Sequence, residues 1–552
     1  MTKSEIINIY TVKFVGLGWL LEVISTTINI LVKKKNYKIR IILLDDFNES
    51  YLKDRIKFTL FKNKNKIKFL DIKKLKPREI FNSKSIDSKL LLRKKIQFIY
   101  QNLNFEIFST KQNFFLLTTY KVISLLIAIY YFLKLSIFSS KRDFIKFEYL
   151  GVRVGDLVAS NFLRDNPKYG GEFKYSFQLF KIFFSSIFYT LKTKPIINKY
   201  NNVKKSFTII PEPTYLQALW KRTFLKYGIP NIEMHHYKGK IVINRNPKKY
   251  YPWIAEKKVI KKISQKEKLI INNYFKTRFT NPGKIMSYLT HENSNNNSIN
   301  SIYDQKNNKI KLDKDKLIPV IFLHSFDDAQ YCFGVDGFND IYHWTIFSIE
   351  KCLENKNFDK VFIKPHPGSD FINYPGDKVA FHKILDKYAN NDRVVILKKN
   401  SSILSLSKNI KLLGITHHGS IAEELTFLSQ NVIAFINGQW GKNYKFLNTW
   451  KTKNEYGIFL KKFSKDLLVR RTKQQSKHFN NYILECKINI IERRDSSIRV
   501  FLSKTKNKYR HWYTPRNHIL GFNDYVKFMR SIENNDTFIN DIIKPIYDRN
   551  HN

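Results

Sequence analysis

The chain has 552 residues, 43% of them hydrophobic, which excludes a disordered chain and is too long for one ordinary domain. Its 97 Lys and Arg against 46 Asp and Glu give a formal charge of +51 and a pI near 9.9. An AT-rich coding bias accounts for abundant Lys, Asn, Ile, Phe and Tyr but not for so few acids, so the excess points to an acidic glycan or an anionic membrane surface. Nucleic acid is disfavoured as the partner, because no zinc spacing, RNP-like motif or basic heptad helix accompanies the charge.

In chain order, residues 6–46 read as strand, glycine turn, helix, strand, the opening of an α/β domain. Lys3, Glu5, Lys13 and Glu22 interrupt the apolar start, so it does not read as a signal peptide. Residues 52–145 are basic and predicted mostly helical. Within them VISLLIAIYYFL, residues 122–133, falls short of the roughly 20 residues that span a bilayer and reads as a core helix or an interfacial segment. FQLFKIFFSSIFY, residues 177–189, adds weight to membrane contact. Residues 206–235 form a βαβ unit, with Gly228 stopping its helix.

A polar stretch at 291–316 is taken as the boundary between an N-terminal α/β domain, residues 1–290, and a second domain, residues 317–465. There, five strands alternate with four helices, which predicts a parallel, doubly wound sheet. Residues 466–552 read as a basic helical segment. Cys332, Cys352 and Cys486 are scattered, with neither metal nor disulfide spacing, which suits a reducing compartment.

Ligands of such sheets bind at the carboxyl ends of the strands. Three clusters fall there in the second domain: His324-Ser325-Phe326-Asp327-Asp328, then Lys364-Pro365-His366-Pro367, then His417-His418-Gly419-Ser420 with Glu423 and Glu424. Gly419 lets a ligand approach the backbone, and the helix start beyond it favours an anion. Ser420 and Glu423 have capping-box spacing, which leaves Glu424 to accept from ribose hydroxyls. Lys364 and His366, on a turn stiffened by two prolines, can meet a phosphate. Adjacent histidines at a strand end are expected on opposite faces, so His418 rather than both faces the ligand, and no metal site is predicted.

KPHP after a strand, HHGS-x-x-x-E before a helix and NVIAFINGQWGKNYKF after it resemble bacterial capsule and lipopolysaccharide biosynthesis glycosyltransferases of the GT-B fold. The likeness is to the capsule-synthesis family that includes Kdo transferases and, more loosely, to polyglycerol-phosphate transferases; it covers roughly residues 318–450. It implies two Rossmann-like doubly wound domains facing a cleft, with a nucleotide-sugar donor on the second and a glycan or lipid-linked acceptor on the first. It implies donor contacts from Lys364, His366, Gly419, Ser420 and Glu424, which His324 and His418 at the same strand ends are expected to join, and no cofactor is expected. A general base from the first domain is expected at Asp156 or Glu212. The expected location is cytoplasmic, on the inner face of the cytoplasmic membrane. A nucleotide-sugar 2-epimerase or a glycerol-phosphate transferase fits the same scaffold, and a non-catalytic basic binding protein is the competing class.

Overall fold

The computed structural model describes residues 6–12, 37–44, 105–110, 114–200, 205–210, 214–235, 240–248, 259–280, 317–334, 336–366, 375–398, 401–467 and 472–488, with isolated residues between. The first half contains β1 (Ile6–Val12), β2 (Lys38–Leu44) and β3 (Phe105–Ser109), then helices α1 (Phe114–Phe138) and α2 (Lys141–Lys146). A short hairpin, β4 (Glu148–Tyr149) and β5 (Val152–Arg153), leads to α3 (Gly155–Asp165) and α4 (Phe177–Tyr200). After these come β6 (Lys205–Ile209), α5 (Ala218–Lys226), β7 (Asn231–His235), β8 (Lys240–Asn244) and α6 (Gln265–Thr280).

The second half runs β9 (Leu317–Phe322), α7 (Ile341–Leu353), β10 (Val361–Lys364), α8 (Pro375–Tyr388), β11 (Val394–Ile396) and α9 (Ile403–Asn409). It continues with β12 (Lys411–Ile415), α10 (Ile421–Phe427), β13 (Asn431–Phe435), β14 (Asn448–Trp450), α11 (Lys453–Lys462) and α12 (Lys473–Ile483).

Two six-stranded sheets result, ordered β3-β2-β1-β6-β7-β8 and β11-β10-β9-β12-β13-β14. Counted within each sheet, both follow the doubly wound 3-2-1-4-5-6 order, so the expected pair of Rossmann-like domains is present. The second sheet is wholly parallel; the first ends in an antiparallel β8. Apolar residues alternate between its two faces, as strands buried on both sides require. Val320, Phe362, Leu412 and Val432 meet α6, α9, α10 and α12 on one face. Ile321, Ile363, Ile415 and Ile433 meet α7, α8 and α11 on the other.

Several expectations change. The second sheet has a sixth strand, β14. The nominally helical region before residue 145 contains β3. Helix α6 precedes the polar stretch taken as the boundary, yet Ile271 and Phe275 pack in the core of the second domain, so the division by packing lies earlier in the chain. The α5 stop is as expected: the Gly228 N–H bonds to the Leu225 carbonyl and that of Ile229 to the Phe224 carbonyl, a Schellman closure.

The two halves are tied together by polar contacts. Arg164 donates to Asp328 at 2.9 Å and to the Tyr215 hydroxyl at 2.6 Å, and that hydroxyl donates to Asp328 at 2.5 Å. The Phe173 N–H donates to Asp340 at 3.0 Å, and Lys383 bonds both Glu172 and the Tyr169 carbonyl. Gly171 lies so close to Phe326 that a Cβ there would come within 2.6 Å of its carbonyl oxygen and Cβ.

Candidate active site

In the second sheet the strand order reverses between β9 and β12, neighbours in space although 92 residues separate His324 from Thr416. The crevice beyond such a reversal is where doubly wound sheets take ligands. The ends of β9 and β12 meet there through His324, which is buried. Its Nε2 faces the N–H groups of His417 and His418, at 3.1 and 3.3 Å, and the Thr416 hydroxyl at 3.1 Å. An atom that accepts from backbone N–H carries a lone pair, so His324 is neutral with its proton on Nδ1. Burial, reinforced by His417 and His366, holds its pKa well below the usual range, in agreement. His324 is therefore the tie that shapes the 416–418 turn, and only its Nδ1–H remains for a ligand.

The paired histidines do not diverge as expected. Their Nδ1 atoms lie 2.7 Å apart, with ring planes at 89°. His417 is fully buried against Trp344 and Trp450, and its Nε2 bonds Asp336. Asp336 is a residue that sequence reasoning missed. The result is a chain, Asp336 to His417 to His418. With Asp336 accepting from His417 Nε2–H, neutral His417 accepts at Nδ1 from His418, which leaves a lone pair on His418 Nε2. His418 is half-buried and stacked between Phe333 and His324, with centroids at 4.5 and 4.3 Å. Burial, then the neighbouring His324, His417 and His366, depresses its pKa well below the usual range. His366 is thus an electrostatic neighbour of both His324 and His418, so the end of β10 joins the cluster. Lys364, the last residue of β10, is buried, and its carbonyl accepts the Leu323 N–H at 3.0 Å.

Gly419 is required sterically. A Cβ would stand 2.8 Å from the Thr416 hydroxyl and 3.1 Å from His324 Cε1. The predicted capping box is absent: Ser420 has helical backbone angles and makes no capping bond. Glu423 is instead fully buried, accepting from Tyr482 and Lys487, each at 2.8 Å. Helix α10 has only seven residues, so its dipole is short. Glu424 accepts at Oε1 from buried Arg278 Nε at 2.7 Å. Arg278 comes from α6, and no local pattern could have paired it with a carboxylate 146 residues away. Among the described residues no group of His, Cys, Asp and Glu is arranged to hold a metal ion.

The first-domain candidates fare differently. Asp156 does not face a cleft. It is fully buried in the first turn of α3 and accepts a two-point contact from Arg222, at 2.7 and 3.0 Å. The Gly155-Asp156 pair opens a helix. Glu212 lies outside the described residues.

Behind the histidine loop, Asp327 and Asp377 stand together. Burial raises the Asp327 pKa to about 6, with Asp328 adding to it, and burial followed by the neighbouring Asp327 carboxylate holds that of Asp377 well above its usual value. They brace the loop, since Asp327 accepts from Gly376 N–H at 3.0 Å and Asp377 from the Ser325 hydroxyl at 3.0 Å.

The fold and site thus define a two-domain Rossmann-like protein with a histidine-lined crevice at the second switch point. No family model and no curated protein matches the chain. Among solved structures it is similar to UDP-GlcNAc 2-epimerase from Methanocaldococcus jannaschii in complex with UDP-GlcNAc and UDP. That likeness has 10% identity, covers 87% of this chain and 98% of that one, and has a TM-score of 0.25. It is also similar to the E. coli trehalose-6-phosphate structure bound with UDP-2-fluoro glucose, at 9% identity over 91% and 99% with a TM-score of 0.26. Likenesses at these scores carry no argument; the sheets and the crevice do.

Proposed function

We propose that this chain is a glycosyltransferase that moves a sugar from a nucleotide-activated donor to a surface glycan or glycolipid, with the donor on the second domain. What supports the reading is the meeting of His324, His418 and Gly419 at the ends of β9 and β12, in a chain with two Rossmann-like domains, with His366 an electrostatic neighbour of both histidines. A transferable sugar leaves behind an anionic phosphate, and N–H donors placed where that charge develops lower the barrier. His324 supplies Nδ1–H. His418 supplies Nε2–H once it is protonated, a change the phosphate itself favours, with Asp336 stabilising the charge through His417. Arg278 holds one oxygen of Glu424, and the other is offered to ribose. The capsule or lipopolysaccharide setting, and an acceptor seated on the first domain, belong to this proposal.

Thermal shift with CMP-, UDP-, GDP- and CDP-linked compounds tests it. One nucleotide class is expected to raise the Tm, with affinity falling at least about tenfold in His418→Ala, a loss in the range of one charge-assisted hydrogen bond. No response to any nucleotide would sink the proposal. Epimerised nucleotide sugar formed without an acceptor would reassign the reaction on the same site.

A further inference from the structure

Helix α1 is apolar on both of its sides. Its 25 residues contain no Asp or Glu, and the buried positions are Ser124, Ala128 and Leu135. With Ile127, Tyr131 and Phe132 they make up the side that faces the protein. The stripe facing away is Val122, Leu126, Ile129, Leu133 and Ile137, spaced by 4, 3, 4 and 4 residues, the period of one helical face. Leu126 and Ile137 are each 64% exposed and Tyr130 is 60% exposed. Only 17% of the most apolar window is buried, which is not the condition of a core helix. Phe115 and Phe138, 79% and 81% exposed, extend the surface to both ends, and Phe177 of α4 widens it. The window is much longer than the 122–133 run and meets the length of a bilayer span.

The other side of α1 is held to the first domain. The Tyr175 hydroxyl donates to the Leu135 carbonyl at 3.0 Å. Phe132 packs edge-on against Phe144 and Phe180, and Tyr131 against Tyr149. A helix so anchored lies along the protein surface and cannot cross a bilayer without breaking these contacts.

We infer that α1 is a membrane-docking helix that lies in the plane of an anionic lipid surface, its outward stripe among the acyl chains. Charge identifies the occupant. Lys121 and Lys134 bracket the apolar centre of the helix, and α2 adds Lys141, Arg142 and Lys146 beside it. The only acid of α2, Asp143, is committed to capping Ser140. The Lys181 ammonium lies over the ring of exposed Phe177, 4.6 Å from its centroid, so a cation sits directly on the apolar surface. An apolar stripe rimmed by cations is the composition that binds anionic interfaces. This inference stands on the first domain alone and does not depend on the proposed donor site.

The test is co-sedimentation of the full chain with phosphatidylglycerol-containing vesicles and with phosphatidylcholine vesicles. Both are compared with the double variant Leu126→Glu and Ile137→Glu, whose positions are exposed. Binding of the wild-type chain to anionic vesicles, weaker binding to neutral ones, and at least about a tenfold loss in the variant at unchanged Tm are expected. Equal vesicle binding by the variant overturns the inference. So does an absence of wild-type binding combined with a dimer that the variant turns into a monomer, which makes the face a contact between copies. A fall in the variant's Tm without vesicle binding by either protein overturns it too, since the face is then covered by the chain itself. Bound protein that resists carbonate extraction excludes the in-plane placement.

Discussion

The two sheets share one strand order and use it differently. At the switch point of the second, polar groups are gathered and one is left partly accessible: His418 is half-buried, with buried His324 and the Asp336–His417 pair beside it. In the first half, by contrast, a two-point ion pair is sealed. Asp156 and Arg222 neutralise each other out of reach of solvent, and the flanking helices form an aromatic layer with an apolar outer face. Topology places a crevice in each sheet, but side chains determine whether it does chemistry.

The contrast is most readily broken at Asp156. Asp156→Ala strands the Arg222 guanidinium in the interior, at a cost of about 3–5 kcal/mol for a broken buried pair. Urea unfolding should show that loss. A variant of unchanged stability that binds nucleotide but no longer turns over would make Asp156 a catalytic group and erase the difference between the halves.

A smaller effect sharpens the description of the second site. The His418 pKa is depressed in the free protein and a bound phosphate raises it, so binding takes up a proton. Affinity should fall with rising pH between the free-state and complex values, approaching about tenfold per pH unit, or 1.4 kcal/mol. Calorimetry in buffers of different ionisation enthalpy should detect the proton, and Asp336→Asn should weaken the uptake. Pure pH independence would mean His418 does not meet the phosphate.

The smallest effect is expected behind the loop. Raised folded-state pKa values for Asp327 and Asp377 mean that the folded chain binds more protons than the unfolded one. Stability therefore falls as pH rises from about 4, the unfolded value, through the raised value near 6 for Asp327. Asp377→Asn removes the repulsion and keeps an acceptor. It should match the wild-type chain near pH 4 and exceed it by on the order of 1 kcal/mol at pH 7. Equal stability at both pH values would show that the pair is not repulsive.

Much of this was legible in the sequence where the signal is local. The alternation from residue 317 onwards placed five of the six strands and put His324, His366 and His418 on one edge. Strand β14 was missed because Asn448-Thr449-Trp450 is too short and polar to carry a period, and β3 because Phe105–Ser109 sits in a basic stretch. The buried polar pairings were illegible for a different reason. Asp156 with Arg222, Glu424 with Arg278 and Asp336 with His417 lie 66, 146 and 81 residues apart, and only folding makes them neighbours. Ser420 and Glu423 show the converse, a motif with the right spacing that burial diverted to other partners.

The loop from His324 to Asp328 spans both halves of the molecule. Its first residue sets the histidine turn, its middle is fastened to α8, and its last is bonded to Arg164 and Tyr215 of the first domain. Five residues thus act as a lever with its fulcrum at Asp327. A shift of one domain against the other is thereby carried to the histidine turn.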